Sequence, residues 1–390
     1  TANDSASLSK IFTTISENIG SANIDLGSET VIKDIVTPYF TVPQNAGAIR
    51  LSTAAYNGSA FGAPVAADPS VTAAIDPATR AVNVTGFDFN QNYVSTNAKA
   101  DGTFGKKLII EFDVSVRDGF LGGNQVPTND GQSGIYAKGT MIKAFDVPTQ
   151  DVEVKSITPT ADDKAIYLGD SANLQELVHQ NATFDGTNNA FVDVTYTVKD
   201  ENGTVVGTYT VPAGSSSGTW VWSDPASNGT VAPEQTTTYK VTCTVSPTGT
   251  YESVSKDTTF TITVNTCSLT ITKTVTGGGD PNQTFVFNVM KGNDLVTTVV
   301  LKAGASTTIT GLAVGDYTVV EDTAWSWSYT ADNVSTAVTL SSTNPNDEAK
   351  ITNTYVKHDW LTSIVDVINK WTANDGKTTI NNSDRVPGAN

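Results

Sequence analysis

The feature that most constrains this chain is a rhythm of short alternating runs. Val, Ile, Thr, Tyr and Phe alternate with smaller or polar residues, and Gly, Asn, Asp and Pro clusters break the runs roughly every 8 to 12 residues. Examples are 107–116 (KLIIEFDVSV), 191–199 (FVDVTYTVK), 238–245 (TYKVTCTV), 258–264 (TTFTITV) and 316–321 (DYTVVE). Alternation at period two puts one set of side chains on one face of a strand, and regular turns fold those strands over one another. The expected fold class is therefore all-β, a tandem of immunoglobulin-like β-sandwiches. With 390 residues there is chain enough for several separate cores.

Two segments break the rhythm. Leu8, Ile11, Phe12, Ile15 and Ile19 fall on one helical face, so 1–20 is expected to be an amphipathic helix, the remnant of an upstream domain or a helix docked on the next sandwich. Trp360, Leu361, Ile364, Val365, Ile368 and Trp371 repeat that spacing behind Asp359 as a cap, which predicts a short helix and polar tail over 357–390. Between them, joints at 145–154 and 263–268 divide the chain into sandwiches over 21–149, 150–266 and 267–356.

Composition narrows the function. Forty acidic residues against 23 basic ones give a net charge of −17, the wrong sign for neutralising nucleic-acid phosphates. Two histidines, two cysteines and two methionines offer little for a metal cluster, a haem or a histidine-based triad, so no metal and no cofactor are expected. No run of 18 apolar residues, signal pattern or lipidation box occurs, so the chain is expected to be soluble, without membrane insertion. Two cysteines make no disulfide scaffold, although a Cys243–Cys267 bridge across the second joint is one expectation and free thiols the other.

The third block carries the most specific motif. It opens with LTITKTVTG from Leu269, continues through TFVFNV from Thr284, reaches GLAVGDYTVVE ending at Glu321, and closes with ITNTY around Asn353. These residues resemble the collagen-adhesin B-type domain, a prealbumin-like sandwich of Gram-positive stalks and pili. The resemblance implies an intramolecular isopeptide bond between Lys273 and Asn353, with Glu321 as the self-processing acid. The chemistry suits those residue types. A buried lysine loses hydration of its charged form and becomes a nucleophile, and a neutral buried carboxylic acid can polarise the asparagine amide. Alternation places Lys273 with Leu269 and Ile271, Glu321 with Tyr317 and Val319, and Asn353 with Ile351, all on apolar faces. The bland reading is an ordinary buried polar cluster with no bond.

Weaker signals follow. Lys155, Asp193 and Asn265 stand in the order used by collagen-adhesin A-type sandwiches, which the resemblance reads as a second isopeptide site; the alternative is a spacer with surface charges. In the first block, 31–40, 107–116, 117–124 and 126–129 resemble the sandwich that follows a von Willebrand factor A-type domain in pilus-tip adhesins. Residues 4–7 (DSAS) fail the metal-binding D-x-S-x-S pattern at Ala6. Trp220 and Trp222 either edge a binding surface or cap a core. Sequons at Asn83, Asn181, Asn202, Asn228, Asn282 and Asn333 follow from composition. Asp162-Asp163 and the 346–348 turn are solvated loops before they are calcium sites.

Two functions stand against each other. One is the structural, adhesive stalk of a Gram-positive surface or pilus-tip protein, no enzyme beyond its own crosslinking, extracellular on the wall or pilus. Its partners would be pilus subunits and a protein or glycan ligand on a host or neighbouring cell. The other is a set of spacer or binding modules from a secreted carbohydrate-active protein, marked by an aromatic groove with paired carboxylates.

Overall fold

The computed structural model describes residues 26–27, 29–180 and 183–357, and beyond them four strand segments, Asp359–Trp360, Ser363–Ile364, Ile368–Trp371 and Thr378–Asn381. The helix expected over 1–20 lies outside the described residues. The helix expected behind Asp359 is corrected. Asp359–Trp360 pairs with Ser363–Ile364, and Ile368–Trp371 pairs with Thr378–Asn381, both antiparallel. The 360–371 run is rich in Ile, Val and Thr, whose branched Cβ stiffens χ1 against a helical turn and suits a pleated strand.

The remainder is sandwich, as the alternation predicts. In the first sandwich, a five-stranded sheet runs in the order Thr72–Asp76, Ala81–Thr85, Val31–Ile35, Gly134–Ala137, Thr140–Ala144. With a three-stranded sheet centred on Arg50–Ala55 it encloses Ile32, Val82, Val84, Phe87, Leu108 and Ile135. Thr149–Val152 pairs with Gly123–Pro127, beside a smaller cluster of Val36, Phe40, Phe120, Val126 and Val152. The second sandwich is built on a six-stranded sheet, Lys164–Tyr167, Val254–Asn265, Thr237–Pro247, Val192–Lys199, Val205–Val211, Thr219–Trp222. Its inner face carries Val194, Tyr196, Val198, Val241, Cys243 and Val245. Trp222 belongs to this core, with Trp220 stacked on it at 4.5 Å between ring centroids, so the pair caps a core. Gly207 and Gly229 lie against the Trp222 ring, where a Cβ would come within 2.5 Å of ring atoms.

The expected Cys243–Cys267 bridge is also corrected: both thiols are free and buried. Cys243 sits in the second core and Cys267 in the third, so each sulfur is enclosed by its own sandwich. Burial pushes the Cys243 thiol up to about 11, which suppresses the reactive thiolate. Both thiols are expected to resist a disulfide reagent in native buffer and to react stoichiometrically in concentrated urea, read by thiol titration.

One residue opposes the pattern of its strand. Asp34 shares the inward face of Val31–Ile35 with buried Ile32, and its Oδ1 has no hydrogen-bond partner. Burial pushes its carboxyl up to about 6, against a hydrogen bond from Ser133 that favours the anion. A folded pKa above the unfolded value means that folding takes up a proton. Stability is therefore gained as pH falls through about 6 and levels off below the unfolded pKa. From about pH 7.5 to about pH 5 the first sandwich should gain on the order of 1 kcal/mol, and Asp34→Asn should flatten that dependence. Hydrogen exchange of the Val31–Ile35 amides, corrected for intrinsic rates, measures both.

Candidate functional site

The third sandwich consists of two four-stranded sheets that face each other. One runs Ser306–Leu312, Cys267–Thr276, Asn346–Tyr355, Tyr329–Ala331, and the other Asp294–Lys302, Thr284–Lys291, Gly315–Glu321, Ser335–Leu340. The strand that opens the block and the strand that closes it are neighbours and run parallel, with Lys273 opposite Ile351 and Val275 opposite Asn353. Parallel neighbours place Lys273 and Asn353 one diagonal step apart on the same inward face. Glu321 approaches them from the facing sheet, at the inner end of its own strand.

The three side chains meet in the dry core. Lys273 and Asn353 are fully buried and Glu321 is 2% exposed. Lys273 Nζ donates to Glu321 Oε2 at 3.1 Å and contacts Asn353 Oδ1. Asn353 Nδ2 donates to Glu321 Oε1 at 2.6 Å. The carboxyl group thus straddles the other two, one oxygen on the amine and one on the amide nitrogen. Burial pushes the Lys273 ammonium below its ordinary value, with Glu321 pulling the other way. Phe285 and Phe287 wall the amine at 4.2 Å and 5.7 Å from their ring centroids, so ring carbon stands on that side where solvent would hydrate a charge. In such surroundings an ion pair stripped of solvent is costly.

Sequence reasoning placed all three residues but missed two features of the site. The Phe285/Phe287 wall was signalled by the alternation in TFVFNV. Ser326 carried no signal. It is 2% exposed, and its hydroxyl donates to Glu321 Oε1 at 3.1 Å.

The second expected triad is not assembled. Lys155, Asp193 and Asn265 are all exposed, and Asp193 accepts from the Ala213 amide. Asp193 lies opposite Ser246, beside the pairing of Val245 with Val254, whereas Asn265 ends the same long strand opposite Tyr167. Eleven residues of extended strand, about 37 Å, separate those two ends. Lys155 and Asp193 are surface charges and Asn265 an exposed amide. A groove of about 550 Å³ opens between Asp294–Lys302 and Ser306–Leu312, lined by Val296, Val299, Leu301, Thr307, Ile309 and Leu312 among others. Its lining holds neither aromatic nor carboxylate side chains.

Residues 269–356 match a family described only as a domain of unknown function, DUF5979. No curated protein matches the chain. Among solved structures, an adhesin from Mobiluncus mulieris containing intramolecular disulfide, isopeptide and ester cross-links is similar at 13% identity and a TM-score of 0.31, over 51% of this chain and 96% of that one. BcpA, the major pilin subunit of Bacillus cereus, is similar at 12% identity and a TM-score of 0.31, over 83% of this chain and 99% of that one. The pilus adhesin SpaC from Lactobacillus rhamnosus GG is similar at 11% identity and a TM-score of 0.24, over 90% of this chain and 39% of that one.

Proposed function

We propose that this chain is a structural, adhesive stalk of a Gram-positive surface or pilus protein, made of sandwiches over about 21–149, 150–266 and 267–356. Its third sandwich locks itself with an isopeptide bond between Lys273 and Asn353. The single observation that carries the reading is the convergence of these residues with Glu321 in a core that excludes water. The collagen-adhesin resemblance supplies the surface and pilus setting.

The chemistry balances within the three side chains. Neutral Lys273 Nζ attacks Asn353 Cγ, and the new Nζ–Cγ bond forms as the carbonyl pair moves onto Oδ1. Glu321 Oε1 delivers the carboxyl proton to Nδ2, leaving a transient carboxylate, and Oε2 then takes the proton that Nζ sheds. The Cγ–Nδ2 bond breaks, ammonia leaves, and Glu321 ends as it began. Proximity supplies much of the rate, because the folded core holds the reacting groups in contact without the cost of bringing them together. The event occurs once per molecule and acts on no outside substrate. The groove between Asp294–Lys302 and Ser306–Leu312, with neither aromatic nor carboxylate side chains in its lining, lends the carbohydrate-active alternative no support.

Two outcomes are expected. The intact mass of the native protein falls short of its sequence mass by one ammonia, and Glu321→Ala restores the full mass; a native mass equal to the sequence mass removes the bond. Under force, the bond carries tension directly from the opening strand to the closing one. The 80-residue span between Lys273 and Asn353 should then stay hidden from single-molecule extension, whereas Glu321→Ala should release about 280 Å of additional contour.

A further inference from the structure

We infer that Ser326 is a positioning residue for the crosslinking step, an inference that rests on the isopeptide reading above. Its hydroxyl and Asn353 Nδ2 converge on the same oxygen, Glu321 Oε1, at 3.1 Å and 2.6 Å. The other oxygen, Oε2, faces Lys273. A carboxyl group in a dry core can rotate about its last bond, and the three donors together leave one orientation that serves amine and amide at once.

Ser326 is itself held firmly. It closes a short 3-10 turn, Thr323–Trp325, with its amide donating to the Thr323 carbonyl. Its own carbonyl accepts from the Tyr329 amide at 2.7 Å. Asp322 caps the start of that turn through the Ala324 amide, and Gln283 Nε2 donates to the Trp325 carbonyl. The hydroxyl therefore comes from a turn pinned at both ends, immediately after the strand that ends in Glu321.

The role follows from the proton balance. When Oε1 passes its proton to Nδ2, negative charge appears on the carboxyl group, and the hydrogen bond from Ser326 becomes charge-assisted. Among the described residues, this hydroxyl is the donor that stays on Oε1 once the leaving nitrogen departs as ammonia. Ser326 thus keeps Oε1 aimed at the leaving nitrogen and supports the charge left behind, while bond making and breaking remain with Lys273, Glu321 and Asn353.

Cell-free synthesis of the full chain, sampled over time by intact mass, reads the rate of ammonia loss. Ser326→Ala is expected to slow that loss about tenfold, the worth of one hydrogen bond to a charged group. Ser326→Thr, which keeps the hydroxyl, is expected to stay within about threefold of the native rate. Amide protection of Thr284–Lys291 and Gly315–Glu321 reports folding independently of the bond. Ser326→Ala that crosslinks at the native rate overturns the inference and leaves the crosslink standing. Equal slowing by alanine and threonine overturns it too, since packing and not the hydroxyl would then matter. Slowing that merely tracks lost amide protection also counts against it. A native chain that loses no ammonia removes the crosslink and the inference together.

Discussion

Everything specific about this molecule follows from a lysine placed where no water can reach it. An ammonium in an apolar core loses far more hydration than one carboxylate returns, so a bare Lys273–Glu321 pair would weaken the sandwich that encloses it. In the proposed bonded state, conversion to an amide resolves that conflict. An amide has no charge to desolvate. The same burial that makes the unreacted core unfavourable depresses the lysine and so makes it reactive. Stability and reactivity are therefore one constraint expressed before and after the bond.

The three reactive residues were legible because period-two alternation fixes which side chains face inward. LTITKTV puts the lysine with Leu269 and Ile271, and the burial of Cys267–Thr276 follows that alternation through Lys273. What alternation does not carry is which strands are neighbours. The parallel pairing of the opening and closing strands, which are neighbours in one sheet although strands of both sheets lie between them in the chain, sets the diagonal contact between Lys273 and Asn353. The failed second triad shows the same gap. Lys155, Asp193 and Asn265 have suitable types and order, yet Asp193 and Asn265 lie at opposite ends of one sheet. Ser326 escaped because a turn has no period to read, and the expected helix after Asp359 escaped because a few apolar residues at helical spacing fit hairpins equally well.

The choice of crosslink agrees with the rest of the composition. Cys243 and Cys267 are spent as small core residues in different sandwiches, where neither can reach the other. A disulfide can be reduced by thiol exchange; an amide cannot. In the proposed bonded state, permanence therefore comes from lysine and asparagine, both of which would otherwise serve as ordinary polar residues.

A lock inside one sandwich matters mechanically only if its neighbours transmit load to it. The joints show how. Between the first and second cores, the Leu121 amide donates to the Asn188 carbonyl and the Lys155 amide to the Leu121 carbonyl. Asn124 bridges to the Thr248 carbonyl and the Tyr251 amide, and Tyr39, Phe120 and Phe191 pack ring against ring. Between the second and third cores, the Val314 amide donates to the Leu168 carbonyl and Tyr167 packs against the third core. Each joint combines backbone hydrogen bonds with apolar packing, so bending there means exposing both at once. Tension that enters through these joints reaches Cys267, runs along its strand to Lys273, and crosses there to the strand that leaves the sandwich. In the proposed bonded state the weakest elements of the chain are therefore the sandwiches without a crosslink, and the third sandwich is the one that outlasts them.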